Sequence, residues 1–260
     1  MFDLPKPYLV GMIHLPALPG SPSHRMSMAG TIIAAQRDAE CLQKAGFDAL
    51  IIENFGDAPF TARHLDPATV AAMGIIVSRV KDATALILGV NALRNDARSA
   101  LAIAFTVGAQ FIRVNVHTGV SATDQGWIEG DAAATLAYRR SLGANIAIFA
   151  DVHVKHAVHV SQPDIALAAE ETAYRGQADA LIVSGPTTGR PTDPAQLHRV
   201  KSAVPDKPVL IGSGATVENI ATLLAACDGV IVGTHIKKDG RTDASVDYDR
   251  AAAFVQAARG

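Results

Sequence analysis

The chain has 260 residues, 49% of them hydrophobic, and its 23 Lys and Arg against 25 Asp and Glu leave a formal net charge of −2. That near-balance of interspersed charges excludes the basic surface that nucleic acid or an anionic membrane calls for. Two cysteines exclude a disulfide framework and read as reduced thiols of a cytoplasmic protein. The first seven residues lack a basic stretch followed by an apolar run, so no signal peptide is expected. No apolar stretch reaches the roughly 18 residues of a spanning helix, so no direct membrane insertion is expected.

In chain order, residues 8–14 form a continuous apolar run ending at His14, as expected of a strand buried on both faces. A loop rich in proline and glycine follows at 15–22, and 28–45 reads as a helix stopping at Gly46. The second strand spans 47–54, with a loop at 55–60. Asp66-Pro67 opens a helix to about residue 82, with an N-cap and a proline in its first turn. The third strand is 85–91 with the helix 96–107 behind it, and the fourth strand is 111–116. Residues 117–130 read as a long glycine-containing loop, followed by a helix at 131–142. The fifth strand, 145–151, is extended by 152–156, and 163–174 is helical. The sixth strand is 180–185, with a loop at 186–191 and a helix capped by Asp193-Pro194. Strands at 208–212 and 228–233 enclose a helical stretch at 217–224, and 247–258 is the last helix.

Eight apolar runs thus alternate with eight helical stretches, with no linker and no shift in composition. The expected architecture is α/β, one (β/α)8 TIM barrel over residues 1–260, with an open doubly wound sheet as its competitor. Strand seven ends in Gly212-Ser213-Gly214 and strand eight in Gly233-Thr234. Glycines at such junctions let backbone N–H groups approach an anion, and a helix start favours negative charge. Together with Gly185 they are the expected phosphate site, formed in such barrels by the loops after the last two strands. A Gly-x-Gly alone is most often a tight turn, and its position is what gives it meaning here.

Active sites of parallel barrels lie at the carboxyl ends of the strands, where this chain gathers His14, Glu53, Asn54, Asn91, Arg113, Asn115, Asp151, His153, Lys155, Ser184, Ser213 and Thr234. Period-two alternation puts Arg113 and Asn115 on one face of strand four, and Asp151 and His153 on one face of strand five. Arg113 in an apolar run requires either a carboxylate from a neighbouring strand or a bound anion. Asp151 and Lys155 are the expected pair for proton transfer, with Glu53 as a further catalytic carboxylate. His14, Asn54, Asn91, Arg113, Asn115, His153 and Ser184 are the candidate substrate-binding groups. Glu53 and Asp57 are the candidate ligands for a divalent cation such as Mg²⁺, and no other cofactor is called for. His153, His156 and His159 suggest zinc, but they leave a strand rather than share a helix face, and no cysteine pair or H-E-x-x-H motif supports it.

Several stretches resemble the BtpA/SgcQ family: GMIHLPALPGSP at 11–22, IENFGDAPF at 52–60, GVNALRND at 89–96, FIRVNV at 111–116, DQGWIEG at 124–130, DVHVKH at 151–156 and the two glycine turns. The resemblance covers nearly the whole chain, with small departures at Ala92 and Ser184. It implies a barrel of the ribulose-phosphate-binding type. It also implies two different functions, one branch being named for photosystem I biogenesis in cyanobacteria and another for a nucleosidase encoded beside sugar-uptake genes. The ring of functional groups favours an enzyme acting on a small phosphorylated sugar or nucleoside, by nucleosidase-type glycosidic cleavage or as a sugar-phosphate isomerase or lyase, in a homo-oligomer. The alternative is a non-catalytic assembly factor for a membrane protein complex.

Overall fold

Buried apolar runs alternating with capped helices close the chain on itself. The structure is a computed structural model and describes residues 6–185 and 192–260; the first five residues and the expected loop at 186–191 lie outside it. The elements are β1 (Tyr8–His14), α1 (Met28–Ala45), β2 (Ala49–Glu53), α2 (Pro67–Ala83), β3 (Ile87–Asn91), α3 (Ala97–Val107), β4 (Phe111–Val114), β5 (Val120–Thr123), β6 (Gly126–Glu129), α4 (Ala132–Ser141), β7 (Ala147–Val152), β8 (Ala157–His159), α5 (Ile165–Glu170), β9 (Ala180–Val183), α6 (Pro194–Ala203), β10 (Val209–Ile211), α7 (Ile220–Leu224), β11 (Gly229–Val232) and α8 (Tyr248–Arg259). The parallel strands form a closed barrel in the order β1-β11-β10-β9-β7-β4-β3-β2. The helix starts follow the sequence: Asp66 accepts from Ala68 N and Asp193 from Ala195 N, each ahead of a proline that has no N–H needing an acceptor.

Each barrel strand presents alternate residues to two cores. Val10, Met12, Ala49, Ile51, Phe111, Phe149, Ala180, Ile182, Leu210 and Ile231 fill the barrel interior. Their neighbours Leu9, Ile13, Leu50, Ile52, Ile112 and Leu181 pack outward against the helices. Phe111 and Phe149 stack at 4.5 Å between ring centroids. Gly89 makes room for them, since a Cβ there would sit 2.3 Å from the Phe111 ring. Among the described residues, no helix is long and apolar enough to cross a membrane.

Three expectations need correction. Residues 117–130 are not a plain loop: β5, β6 and β8 form a separate antiparallel sheet over the barrel mouth. Strand five does not run on through 156; it ends at Val152, because His153 turns into the left-handed region at φ 56°. The helix expected at 163–174 is α5 only to Glu170 and then a π-helical turn over Glu171–Arg175.

Candidate functional site

The same alternation that fills the barrel carries its last inward position into the mouth. One strand end after another contributes His14, Glu53, Asn91, Arg113, Asp151, Ser184, Gly212 and Gly233 above the apolar interior. Arg113 and Asp151 are both buried and paired twice, Nε to Oδ2 and Nη2 to Oδ1, each at 2.8 Å. Asn115 Nδ2 donates to Asp151 Oδ2 at 3.0 Å and Ser184 Oγ to Oδ1 at 3.4 Å. Four donors use the roughly four acceptor directions of that carboxylate. Asp151 thus holds Arg113, Asn115 and Ser184, and an acid/base role shared with Lys155 would have to act from within that network.

Glu53 is the carboxylate left facing the mouth. It is buried, takes one hydrogen bond from Asn91 Nδ2 at 2.5 Å, and lies 3.8 Å from His14 Nε2. His14 Nδ1 faces the carbonyl of Thr242 at 3.1 Å, so the ring proton belongs on Nδ1 and Nε2 keeps its lone pair. Burial, with the Lys237 charge second, holds the His14 pKa well below the usual histidine value, so the ring stays neutral. Burial and then the Arg113 charge lower the Lys155 pKa as well.

These groups stand where two chambers meet. The proximal chamber, about 170 Å³, is bounded by Gly212, Ser213, Gly214, Gly233 and Thr234 with His235 and Arg250 at its edge. The distal chamber, about 320 Å³, has apolar walls from Phe55, Phe60 and Leu93, and polar groups from Arg94, Asn115, Asp124, Gln125 and His156. Glu53, Arg113 and Lys155 border both. The glycines are required by space: a Cβ on Gly212 would lie 2.3 Å from Ser184 Oγ, and one on Gly233 2.9 Å from His14 Cε1. Gly185 N donates to Ser213 Oγ at 3.3 Å, and the Thr234 and Thr242 hydroxyls are 2.9 Å apart, which ties the two turns to their surroundings.

Other candidates fall outside the mouth. Asn54 braces a loop, accepting from Leu93 N at 2.7 Å and donating to Asp57 at 2.8 Å. Asp57 also accepts from Leu18 N at 2.7 Å and borders neither chamber. His153 leaves the face of Asp151 at its left-handed turn, hydrogen-bonds Gln162 O at 2.8 Å and stacks on His159 at 4.3 Å. Sequence reasoning missed Arg94, Asp124, Gln125, His235 and Arg250. Asp124 and Gln125 stood in a stretch read as loop, and Arg250 sits in a helix where spacing gives no signal.

The stacked pair makes a testable acid sensitivity. His159 is held between Ser121 Oγ at 3.0 Å and Val154 O at 3.1 Å. Burial, then the neighbouring His153, pulls its pKa down to about 4. The unfolded chain binds a proton near pH 6.5 that the folded ring refuses until about pH 4, so stability present above pH 6.5 is lost as pH falls through that window. His14 acts in the same direction. Melting temperature measured from pH 7 to pH 4.5 is expected to fall, and less steeply in His159→Gln; an unchanged slope would refute the assignment.

A closed parallel barrel with polar strand ends gathered at one mouth defines a (β/α)8 TIM barrel. The chain belongs to the BtpA family, whose model matches residues 5–260. An uncharacterised protein of Thermococcus kodakarensis is 47% identical over 257 residues, 99% of this chain and 97% of the relative. The photosystem I biogenesis protein BtpA of Synechocystis is 46% identical over 249 residues, 96% of this chain and 87% of the relative. Among solved structures, (S)-3-O-geranylgeranylglyceryl phosphate synthase from Thermoplasma acidophilum, in complex with sn-glycerol-1-phosphate, superposes with a TM-score of 0.61 at 17% identity, covering 97% of this chain and 92% of that one. At that identity the likeness concerns the fold.

Proposed function

We propose that the chain is an enzyme acting on a small phosphorylated sugar or nucleoside, with acid–base chemistry at the barrel mouth. One observation carries this reading: Glu53, Arg113 and Lys155 border both a glycine-walled chamber and a larger, partly apolar one. The glycine turns receive the phosphate, Arg113 (held by Asp151) binds an oxygen next to the reacting carbon, and Glu53 moves the proton, with neutral His14 beside it. Such groups serve glycosidic cleavage through an oxocarbenium-like state, or isomerase and lyase chemistry on a sugar phosphate. A homo-oligomer in the cytoplasm is the expected setting. The name of the Synechocystis relative raises the other reading, an assembly factor, which requires neither chamber to bind a ligand.

A thermal-shift series with inorganic phosphate, ribose 5-phosphate, nucleosides and nucleotides, with and without Mg²⁺, separates the two. Ligand at 100 times its Kd adds about 2.7 kcal/mol, or several degrees in Tm. Gly214 has φ 75°, a region that aspartate tolerates better than most residues, so Gly214→Asp adds a charge against the anion at modest strain. Stabilisation by phosphorylated compounds that is lost in Gly214→Asp is the expected result. Stabilisation by nucleosides alone would make the turns structural, and no response at all would favour the assembly factor.

A further inference from the structure

Among the described residues, Lys155 is the lysine that borders the two chambers, and its backbone is held on both sides. The residues at 153 and 156 on either side of it are both histidines in the left-handed region, at φ 56° and 58°. That conformation is uncommon for a residue with a Cβ and persists only where the surroundings impose it. Buried Arg94 fixes the segment by donating from Nη2 to the Lys155 carbonyl at 2.7 Å. The effect is to stop strand five, swing His153 away and return the Lys155 side chain to the seam between the chambers.

Its Nζ, so placed, has no hydrogen-bond or ion-pair partner among the described residues. Four other lysines are partnered. Lys81 donates to Val107 O, Lys201 to Asp228, Lys207 to Ala178 O and buried Lys237 to Ala244 O. A half-buried amine beside Arg113 that is given no acceptor is kept for a ligand, and the same surroundings favour its neutral, nucleophilic form. The distal chamber adds a second demand. Asn115 Oδ1 and Gln125 Oε1 are buried acceptors with no donor among the described residues, and each belongs to a residue bordering that chamber. They call for hydroxyl groups.

Building on the reading of a phosphorylated sugar ligand, we propose that Lys155 forms an imine with the carbonyl carbon of an open-chain phosphorylated ketose or aldose lying across the two chambers. The Nζ lone pair adds to the carbonyl carbon, the C=O π pair moves to oxygen, and transfer of one proton from nitrogen and one to that oxygen gives a carbinolamine. The new hydroxyl then takes a second proton, with Glu53 as the donor nearest the seam, and leaves as water while nitrogen supplies the electron pair of the C=N bond. Amine, carbonyl compound and one proton thus give an iminium ion and water. His14 Nε2, unprotonated, is the acceptor for the proton that the amine loses.

Sodium cyanoborohydride tests the step by delivering hydride to the iminium carbon, leaving a stable secondary amine. The full chain is incubated with ribose 5-phosphate, and separately with dihydroxyacetone phosphate, plus the reductant, and read by intact mass and peptide mapping. The expected product is one adduct, heavier by the probe less one oxygen, on Lys155. Its rate at pH 7 should exceed that of exposed lysines such as Lys81, since a lowered pKa raises the neutral fraction and the chambers hold the carbonyl beside Nζ. Excess inorganic phosphate should suppress it, and Lys155→Arg should abolish it. Because Nζ supports no other group, Lys155→Arg and Lys155→Met should fold with Tm within a few degrees of the parent. Adducts spread evenly over surface lysines, or unchanged in Lys155→Arg, would overturn the proposal. A thermal shift by ribose 5-phosphate without any adduct would overturn the imine and leave the phosphate site standing. Absence of both would overturn the two together.

Discussion

Asp151→Ala is expected to destabilise the protein by about 3–5 kcal/mol, the usual cost of leaving one member of a buried ion pair uncompensated. Arg113 is 2% exposed, and its guanidinium is held by Asp151 through two 2.8 Å contacts. No other carboxylate among the described residues hydrogen-bonds it. At about 2–4 °C per kcal/mol for a chain of this size, the melting temperature should drop by roughly 10 °C. Removing both charges in Asp151→Leu with Arg113→Met should recover much of the loss, because well-packed apolar groups often replace a buried pair without penalty. The double variant should still fail to bind ribose 5-phosphate, since Arg113 is gone. An Asp151→Ala protein with parental stability and no activity would instead return Asp151 to the role of acid or base.

Glu53→Gln is expected to reduce turnover of a phosphorylated substrate by about 10²–10⁴, the usual range for loss of a positioned acid or base. The amide keeps an oxygen for Asn91 Nδ2, now 2.5 Å from Glu53 Oε2, so that contact survives. His14 Nε2, at 3.8 Å, makes no hydrogen bond to the carboxylate that the change could break. Melting temperature should therefore move by no more than a few degrees while turnover collapses. Comparable losses in stability and turnover would mean that Glu53 holds the mouth together and leaves proton transfer to another group.

The barrel was legible because its signal is periodic and repeated. Eight buried runs gave the strands, Asp66-Pro67 and Asp193-Pro194 gave helix starts that the hydrogen bonds bear out, and parity along each strand led to the polar ring. The small sheet was hidden because β5, Val-Ser-Ala-Thr, and β6, Gly-Trp-Ile-Glu, are four residues each and bury only one core-facing large side chain, Ile128. The error at His153 has a local cause: extension by alternation assumes extended backbone, and the left-handed turn takes His153 off the face while Lys155 still reaches the mouth. Partnerships were the least legible part. The sequence left Arg113 open between a neighbouring acid and a bound anion, and only the register of β4 with β7 resolves that in favour of Asp151. Arg94 and Arg250 reach the chambers from a loop and a distant helix, contacts that no spacing rule anticipates.

The central claim is that the glycine turns hold a phosphate, and a crystal structure of the protein soaked with ribose 5-phosphate tests it most directly. The account predicts the phosphate between Gly212–Gly214 and Gly233–Thr234, within reach of Arg250, with the sugar extending past Arg113 toward Phe55 and Phe60. Phosphate bound elsewhere, or an empty proximal chamber at saturating ligand, would contradict it.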